Sequence, residues 1–453
     1  MRSDLWKISS HNQRRLLKAI AFFLATVMVL VVAEAGLTAP APAPALELAL
    51  EQPPNAPLSN KETTHHEASS AAETLPLRLT PVSELREQVE RGEVVLDRSR
   101  LGFDGRIWGE DGFVGDRQRL LNAVDQSLAY LRTPAASVDY AEYTASEAFI
   151  SGITRDRVRR SLARFRQLVN SSRSAGELQE AVQREFHFYQ ATGVDGHGTV
   201  DFTGYFEPTY AASRVPTPTY RYPLYRVPAD LESWSLPHPT RADLEGLDGL
   251  QGATGRLNGL ELIWLRDRLD AFLVQVQGSA RLQLTDGSTM SVGYDGRTEY
   301  EYRSIGRMLI DDGIIPEAEL TLPVLLDHFQ RHPEDLNRYV PQNNRFIFFR
   351  ETYGAPPAGS LDVPVTAERS IATDKTLMPP GALAVFLLNY PVVTPSNQVE
   401  TRPVSRFVLD QDTGGAIRGA GRADIFMGTG RQAGERAGLI NTPGELFYLL
   451  LRD

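Results

Sequence analysis

The chain of 453 residues contains no cysteine. This absence excludes disulfide bonds, thiol nucleophiles, Cys-ligated zinc and iron–sulfur clusters. It also excludes a lipid anchor on an N-terminal cysteine. It does not specify a redox compartment, because a chain without thiols is stable in oxidising and reducing surroundings alike.

The chain also lacks an excess of basic residues. Its 47 Lys and Arg are outnumbered by 57 Asp and Glu, which gives a formal net charge of -10. Since binding to nucleic-acid phosphates needs clustered cations, no nucleic-acid partner is expected. The apolar fraction of 42% is sufficient for a sizeable core in two or three domains.

Several catalytic signatures are missing as well. The sequence has no Walker-type loop, no GxGxxG after a strand, no HExxH and no GxSxG. Only eight histidines are present, and His328 and His332 in "LLDHFQRH" are interpreted as a solvated helix face. The acidic segments lack the dense oxygen-ligand spacing of a calcium loop. We therefore expect no metal and no cofactor, and carboxylates remain as the candidate catalytic groups.

One long apolar run is present, Ala19 to Val32, "AIAFFLATVMVLVV", after the basic residues Arg14, Arg15 and Lys18. It is shorter than the roughly 20 residues that a spanning helix prefers, and small residues follow it. Residues 1–36 are predicted to be a signal peptide and the protein to be exported to the periplasm or cell envelope. Membrane association through a retained N-terminal segment is the alternative. The Pro- and Ala-rich residues 37–76 are predicted to be a disordered linker.

Three stretches between Leu120 and Phe186 predict amphipathic helices, because their large apolar residues recur at helical spacing. These residues are Leu120, Leu121, Val124, Leu128 and Leu131; Val158, Leu162, Phe165 and Val169; and Leu178, Val182 and Phe186. The later part of the chain favours short strands separated by Pro and Gly. The predicted strand residues are Phe272, Val274 and Val276; Leu282 and Leu284, before a turn at Asp286–Gly287; Phe346 to Phe349; Leu383 to Leu388; Phe407 to Leu409; and Leu446 to Leu450.

Three aspartates lie where apolar segments of the C-terminal region meet turns. They are Asp374 in "SIATDKTLMPPG", Asp412 in "DQDTGGAIRG" and Asp424 in "GRADIFMG". Each residue alone is more typical of a turn than of a catalyst. On short strands, however, the three side chains could converge on one face of a small barrel.

These three segments resemble the three-aspartate domain of the membrane-bound lytic murein transglycosylase A family. "FTGYFEP" at residues 202–208, "VQVQGSARLQLTDG" at 274–287 and "YRSIGRMLIDDG" at 302–313 resemble other parts of the same family, in the same order. The resemblance covers roughly residues 77–453. The absence of a cysteine departs from lipid-anchored members, so no lipid anchor is expected.

The resemblance implies a mainly β fold with N-terminal helices, of the α+β class. A double-psi β-barrel would carry an inserted second β-domain, with the glycan in the groove between them. The barrel would be formed by residues 77–207 and 341–453, and the insert by residues 208–340. The implied activity is that of a lyase acting on a polysaccharide. It would cleave the β-1,4 bond between N-acetylmuramic acid and N-acetylglucosamine in peptidoglycan without water, leaving 1,6-anhydro-muramic acid ends.

A single carboxyl group can perform this reaction, because the nucleophile is the 6-hydroxyl of the sugar itself. The resemblance assigns this role to Asp424, and Asp412 and Asp374 are further catalytic candidates. Such an acid must remain protonated near neutral pH, and apolar surroundings raise its pKa. Since side chains alternate along a strand, Ile425 is expected to face the core and Phe426 to share the groove with Asp424.

Substrate-binding candidates are aromatic, amide and charged side chains of the motifs quoted above, including Phe426. The others are Tyr205, Phe206, Glu207, Gln275, Gln277, Arg303 and Ser304. Gln275 and Gln277 are expected on one face of a strand, where they could bind the sugar or face solvent. Arg303 could meet the lactyl or peptide carboxylate of muramic acid, although a surface position is more common for an arginine.

Three alternatives remain. The first is a hydrolase in which Asp412 and Asp424 form a pair, the second is a non-catalytic, expansin-like glycan-binding protein, and the third is a structural envelope protein. The partner is expected to be peptidoglycan glycan strands, and the chain is expected to be a monomer.

Overall fold

The structure, a computed structural model, describes residues 75–91, 94–110, 112, 114–146, 149–393 and 399–452, without the side chains at 318, 393 and 399. The predicted signal peptide and almost all of the predicted linker lie outside these residues. Within the described ranges, none of the helices is long and apolar enough to span a membrane.

Ten α-helices are described, four of them before the main barrel strands. They are α1 (Arg117–Tyr130), α2 (Pro134–Ala145), α3 (Arg155–Ser171), α4 (Ala175–Glu185), α5 (Arg241–Glu245), α6 (Arg268–Gln277), α7 (Ile305–Asp311), α8 (Leu322–Arg331), α9 (Leu336–Tyr339) and α10 (Arg431–Ala437). Helices α1, α3 and α4 confirm the three predicted amphipathic helices, whose apolar stripes are buried. The stripe of α3 covers the barrel, where the rings of Phe165 and Phe407 lie 4.8 Å apart.

Sixteen strands are described, in two large sheets and one small hairpin. They are β1 (Leu77–Thr80), β2 (Gln88–Arg91), β3 (Val94–Asp97), β4 (Phe186–Ala191), β5 (Val200–Glu207), β6 (Thr209–Ser213), β7 (Tyr222–Tyr225), β8 (Glu261–Leu265), β9 (Ser279–Leu284), β10 (Thr289–Arg297), β11 (Ile347–Glu351), β12 (Ser370–Ala372), β13 (Leu383–Val393), β14 (Val399–Asp412), β15 (Arg422–Thr429) and β16 (Asn441–Leu451).

The first sheet closes into a six-stranded barrel. Its order is β1-β4-β16-β13-β14-β12-β15-β5, and an additional pairing of β16 with β5 closes the ring. The β12–β14 and β15–β5 pairs are parallel, whereas the β13–β14 and β13–β16 pairs are antiparallel. Strand β13 is apolar without alternation, and Leu383 to Leu388 are fully or almost fully buried. Such a run suits a strand covered on both faces, here by the barrel interior and the helices.

The second sheet is inserted into the barrel chain and has the order β11-β10-β9-β6-β8-β7. The chain enters it at Pro208, directly after β5. The predicted turn at Asp286–Gly287 is confirmed, because it joins the antiparallel strands β9 and β10. The mainly β architecture, a barrel carrying an inserted β-domain, is therefore confirmed. Strand β11 pairs with β10, so the insert extends past the expected boundary at residue 340.

The strand predicted around Val274 and Val276 is wrong, because these residues belong to helix α6. The helix is buried on two sides. Ala271 and Val274 pack into the core of the insert sheet, while Leu269, Phe272 and Leu273 pack against the helices α7 to α9. A segment that is apolar all round shows no clean helical period, and "VQVQ" imitates the alternation of a strand.

Candidate active site

A deep cleft of about 820 Å³ lies between the barrel and the insert. The barrel contributes β5, β15 and the loop after β14, and the insert contributes α6, β10 and the start of β11. The segment of residues 355–365 closes one side. The cleft therefore lies along the seam where the chain leaves the barrel at β5 and returns after β11.

Asp424 lies in the wall of this cleft, on β15. The two residues that follow it point to opposite faces of the strand, as strand geometry requires. Ile425 is fully buried in the barrel core, whereas Phe426 lines the cleft. Both parts of this prediction are confirmed. The register of β15 with β5 places Thr203 opposite Asp424 and Tyr205 opposite Phe426.

The surroundings of Asp424 favour the protonated form of its carboxyl group. Burial, aided by the charge of Asp412, raises its pKa to about 7, while a hydrogen bond from Thr203 and the charge of Arg422 oppose the rise. Its Oδ1 atom is buried and has no hydrogen-bond partner among the described residues. A buried carboxylate oxygen without a donor is costly, and protonation reduces this cost because the neutral carboxyl group is easier to desolvate.

Asp412 lines the same cleft at the end of β14 and is held by three donors. The hydroxyl of Tyr205 donates to Oδ2 at 2.7 Å, and the amides of Ser360 and Thr413 each donate to Oδ1 at 2.8 Å. Burial raises the pKa of Asp412 above its ordinary value, and these three hydrogen bonds offset part of that rise. The donors fix the orientation of the carboxylate and favour its charged form.

Asp374 is not brought to the cleft. Its Oδ1 atom accepts hydrogen bonds from the amide and hydroxyl groups of Thr376, at 3.1 and 2.7 Å, and its Oδ2 atom accepts one from the amide of Gly419 at 2.9 Å. The side chain therefore ties the turn after β12 to the loop before β15. Of the three candidate aspartates, the structure brings together Asp412 and Asp424.

The "GYFE" residues of β5 divide between the two faces of the strand. Tyr205 lines the cleft, and its ring lies 5.2 Å from that of Phe426. Phe206 points to the other face, where its ring packs closely against Gly434 of α10. Glu207 is buried and accepts hydrogen bonds from Arg281 at 2.9 Å and Thr429 at 2.7 Å. Phe206 and Glu207 hold the strand in place and do not line the cleft.

The two glutamines of α6 line the cleft, but their oxygens are already engaged. Oε1 of Gln275 accepts hydrogen bonds from Arg241 at 2.8 Å and from the amide of Ile347 at 3.2 Å. Oε1 of Gln277 accepts a hydrogen bond from the amide of Phe206 at 3.0 Å. Gln275 joins parts of the insert to one another, whereas Gln277 joins the insert to β5 of the barrel, and both reach the cleft from the end of a helix.

Arg303 and Ser304 do not line the cleft. Arg303 is exposed. Ser304 is the N-cap of α7, and its hydroxyl accepts a hydrogen bond from the amide of Arg307 at 3.2 Å. A serine directly before a helix is commonly such a cap.

Sequence reasoning missed several residues of the cleft. Thr203 lies in the quoted "FTGYFEP" motif, and its position opposite Asp424 follows only from the parallel pairing of two distant strands. Tyr294 and Arg345 of the insert also line the cleft. Tyr294 is 48% exposed there. In the described part of the chain, no group of three or more His, Asp or Glu residues is arranged as a metal site.

Two protein-family models match this chain, one mainly over the insert and the other over the C-terminal part of the barrel. "MltA specific insert domain" matches residues 201–350, and "3D domain" matches residues 369–450. Membrane-bound lytic murein transglycosylase A of Escherichia coli K12 is 30% identical over 280 residues, which cover 61% of this chain and 73% of that protein. The chain belongs to the membrane-bound lytic murein transglycosylase A family.

Further relatives support this membership in the transglycosylase A family. The Vibrio cholerae member is 28% identical over 319 residues, covering 70% of this chain and 83% of that protein. A membrane-bound lytic murein transglycosylase structure from Agrobacterium tumefaciens has a TM-score of 0.59 and 27% identity, covering 74% of this chain and 93% of that one. E. coli MltA with bound chitohexaose has a TM-score of 0.54 and 25% identity, covering 70% and 90%.

Proposed function

We propose that this chain is a peptidoglycan lytic transglycosylase with Asp424 as its single acid and base. It cleaves the β-1,4 bond between N-acetylmuramic acid and N-acetylglucosamine and leaves a 1,6-anhydro-muramic acid end. The observation that carries the proposal is the state of Asp424, a carboxyl group with a pKa of about 7 and an unpartnered oxygen in the wall of an open cleft. Membership in the transglycosylase A family supports the activity and the substrate.

In the first step, Asp424 donates its proton to the glycosidic oxygen, and the bond between that oxygen and the anomeric carbon of muramic acid breaks. In the second step, the Asp424 carboxylate accepts the proton of the 6-hydroxyl group, whose oxygen bonds to the anomeric carbon. The carboxyl group is then protonated again, and no water enters. Because the nucleophile belongs to the same sugar, proximity replaces a second catalytic carboxylate.

Asp412 acts next to this centre as a fixed negative charge. Its three hydrogen-bond donors hold it in place, and its charge raises the pKa of Asp424. The same negative charge stabilises the positive charge that develops at the anomeric carbon. Tyr205 positions Asp412, and the rings of Tyr205 and Phe426 offer flat surfaces to a pyranose.

The glycan strand occupies the cleft between the barrel and the insert. E. coli MltA has been solved with chitohexaose bound, which supports a cleft suited to an extended oligosaccharide. Because peptidoglycan lies outside the cytoplasm, the protein acts as an exported, envelope-facing enzyme. The apolar run at residues 19–32 would direct this export, and the relatives are named as membrane-bound.

The experiment that tests the reaction is cleavage of purified peptidoglycan in ¹⁸O-labelled water, followed by mass spectrometry of the soluble fragments. A transglycosylase gives anhydro ends that are lighter by one water and carry no ¹⁸O. Reducing ends that carry ¹⁸O would identify a hydrolase and make Asp412 the group that activates water. Binding without any fragments would support the non-catalytic alternative.

A further inference from the structure

The cleft of this acidic protein is lined by five arginines, which fall into two groups. Arg241 and Arg350 have structural partners: Arg241 is buried against Glu245 and Gln275, and Arg350 pairs with Asp295 at 3.1 Å. The remaining three are Arg297, Arg345 and Arg418. Arg297 forms a long ion pair with Glu299, at 3.9 Å, and Arg418 forms one with Glu301, at 3.5 Å, and both glutamates are largely exposed.

Arg345 is the centre of this second group. Its Nη1 atom is buried without a hydrogen-bond partner among the described residues. Its backbone is fixed on both sides, because its carbonyl accepts a hydrogen bond from Arg241 at 2.7 Å and its amide donates to Asn343 at 3.2 Å. Gly415 of the barrel lies directly against the guanidinium, and a Cβ there would come within 2.8 Å of Cζ. The guanidinium is thus held between the insert and the barrel.

This placement is unfavourable for a charged guanidinium. Burial lowers the pKa of Arg345, and the charges of Arg297 and Arg418 lower it further. The charge of Glu301 opposes this fall, but among the described residues no carboxylate forms an ion pair with Arg345 to offset its desolvation. The three arginines do not serve the catalytic pair, since the cations that most affect the two aspartates are Arg422 and Lys375. Within the described part of the chain, the buried guanidinium of Arg345 is therefore left without an anionic partner.

We propose that Arg345, with Arg297 and Arg418, forms a subsite for a carboxylate carried on the 3-oxygen substituent of a muramic acid residue. The inference rests on the proposed function, since it names the part of the glycan that the cleft distinguishes. Muramic acid differs from N-acetylglucosamine by a lactyl group, which ends in a carboxylate or continues into a peptide with its own carboxylates. A planar guanidinium with free N–H groups suits bidentate binding of a carboxylate.

The test measures binding of four glycans by isothermal titration, in the Asp424→Asn background so that binding is separated from cleavage. The glycans are chitohexaose, which carries no carboxylate; peptide-free murein strands with a free lactyl carboxylate; the same strands with that group converted to the methylamide; and peptide-bearing strands. Arg345→Gln removes the charge, and Arg345→Lys keeps it without the planar fork. Arg214→Gln is the matched control, because Arg214 is an exposed insert residue outside the cleft.

We expect Arg345→Gln to weaken binding of a carboxylate-bearing strand roughly 10- to 100-fold and to leave chitohexaose binding unchanged, with a smaller loss for Arg345→Lys. If the lactyl group supplies the carboxylate, the protein that keeps Arg345 should bind the methylamide strands more weakly than the free-carboxylate strands, to a similar extent. A loss confined to peptide-bearing strands assigns the carboxylate to the peptide. Either pattern supports the subsite.

Equal losses for charged and neutral glycans, or no loss for any, would overturn the subsite. These results remain separate from the proposed function. If the unsubstituted chain cleaves the strands but shows no preference for a carboxylate, this inference alone is wrong. If the preference is present and no cleavage occurs, the proposed function alone is wrong. If none of the four glycans binds, both are wrong.

Discussion

Tyr205 on β5 donates a 2.7 Å hydrogen bond to Oδ2 of Asp412 at the end of β14. The bond joins two strands of the barrel that are not neighbours in the sheet, and both residues line the cleft. In the proposed mechanism, it links the residue that offers an aromatic surface to a sugar with the residue that supplies negative charge.

Tyr205→Phe should lower kcat/KM on murein strands by roughly tenfold or more, because a hydrogen bond to a charged group contributes about 1.5–3 kcal/mol. The ring is kept, so glycan binding should weaken much less than turnover. Initial rates and binding affinity measured side by side check this split. Tyr353→Phe is the control, since Tyr353 is 86% exposed and does not line the cleft. A fall in affinity equal to the fall in kcat/KM would contradict the positioning of Asp412.

The activity should depend on a proton at Asp424. Because its pKa is raised to about 7, kcat/KM should fall as the pH increases through about 7. Asp412 contributes to this rise, so Asp412→Asn should move the alkaline limb of the profile to lower pH, in addition to lowering the rate. The measurement is kcat/KM against pH for both proteins. An alkaline limb that stays in place in Asp412→Asn would show that the two carboxylates do not interact.

The raised pKa of Asp424 also predicts how the free energy of unfolding depends on pH. The pKa of Asp424 is raised in the folded state above its ordinary value of 3.8, so the stability it contributes is complete below that value and is lost as the pH rises through about 7. Asp424→Asn cannot titrate. Its free energy of unfolding, relative to that of the unsubstituted protein, should therefore increase by about 2–3 kcal/mol between about pH 5 and about pH 8. Denaturant unfolding at the two pH values measures this difference, and a constant difference would contradict the burial of Asp424.

Gly204 on β5 packs against α10 without room for a side chain. A Cβ there would lie 2.8 Å from Cα of Ala437, so Gly204→Ala should destabilise the barrel by about 1–3 kcal/mol. Gly176 is the matched control, because it lies in α4 and a Cβ at this position would meet nothing within 4 Å. Gly176→Ala should leave stability unchanged or raise it by about 0.5–1 kcal/mol. Thermal unfolding of the two variants tests the contact, and similar melting temperatures would argue against it.

The sequence predicted the elements whose patterns are local and regular. The helices around Leu120, Phe165 and Leu178 and the hairpin at Asp286–Gly287 were found in this way, because apolar spacing and turn residues act within a few positions. The prediction that Ile425 faces the core and Phe426 faces the cleft followed from the alternation of side chains along a strand. The same rule, applied to Tyr205 and Phe206, would have shown that one of the two faces away from the cleft.

The errors arose where tertiary burial overrides local pattern. Helix α6 is buried on two sides, so the alternation of "VQVQ" was misleading. The position of Thr203 against Asp424 depends on the parallel pairing of β5 with β15, which are more than two hundred residues apart in sequence. Arg345 carries no motif at all, and only the meeting of the insert with the Gly415 loop brings it into the cleft. Arg303 lies on the surface, which is the more common position of an arginine.

The central claim is that one carboxyl group performs the whole reaction, and Asp424→Asn tests it most directly. Turnover of murein strands and their binding affinity should be measured for Asp424→Asn, with Asp412→Asn as the comparison. We expect Asp424→Asn to abolish measurable cleavage while binding is retained, and Asp412→Asn to keep a reduced rate that still yields anhydro ends. Cleavage by Asp424→Asn at a rate similar to that of the unsubstituted protein would contradict the account and place the acid at another residue.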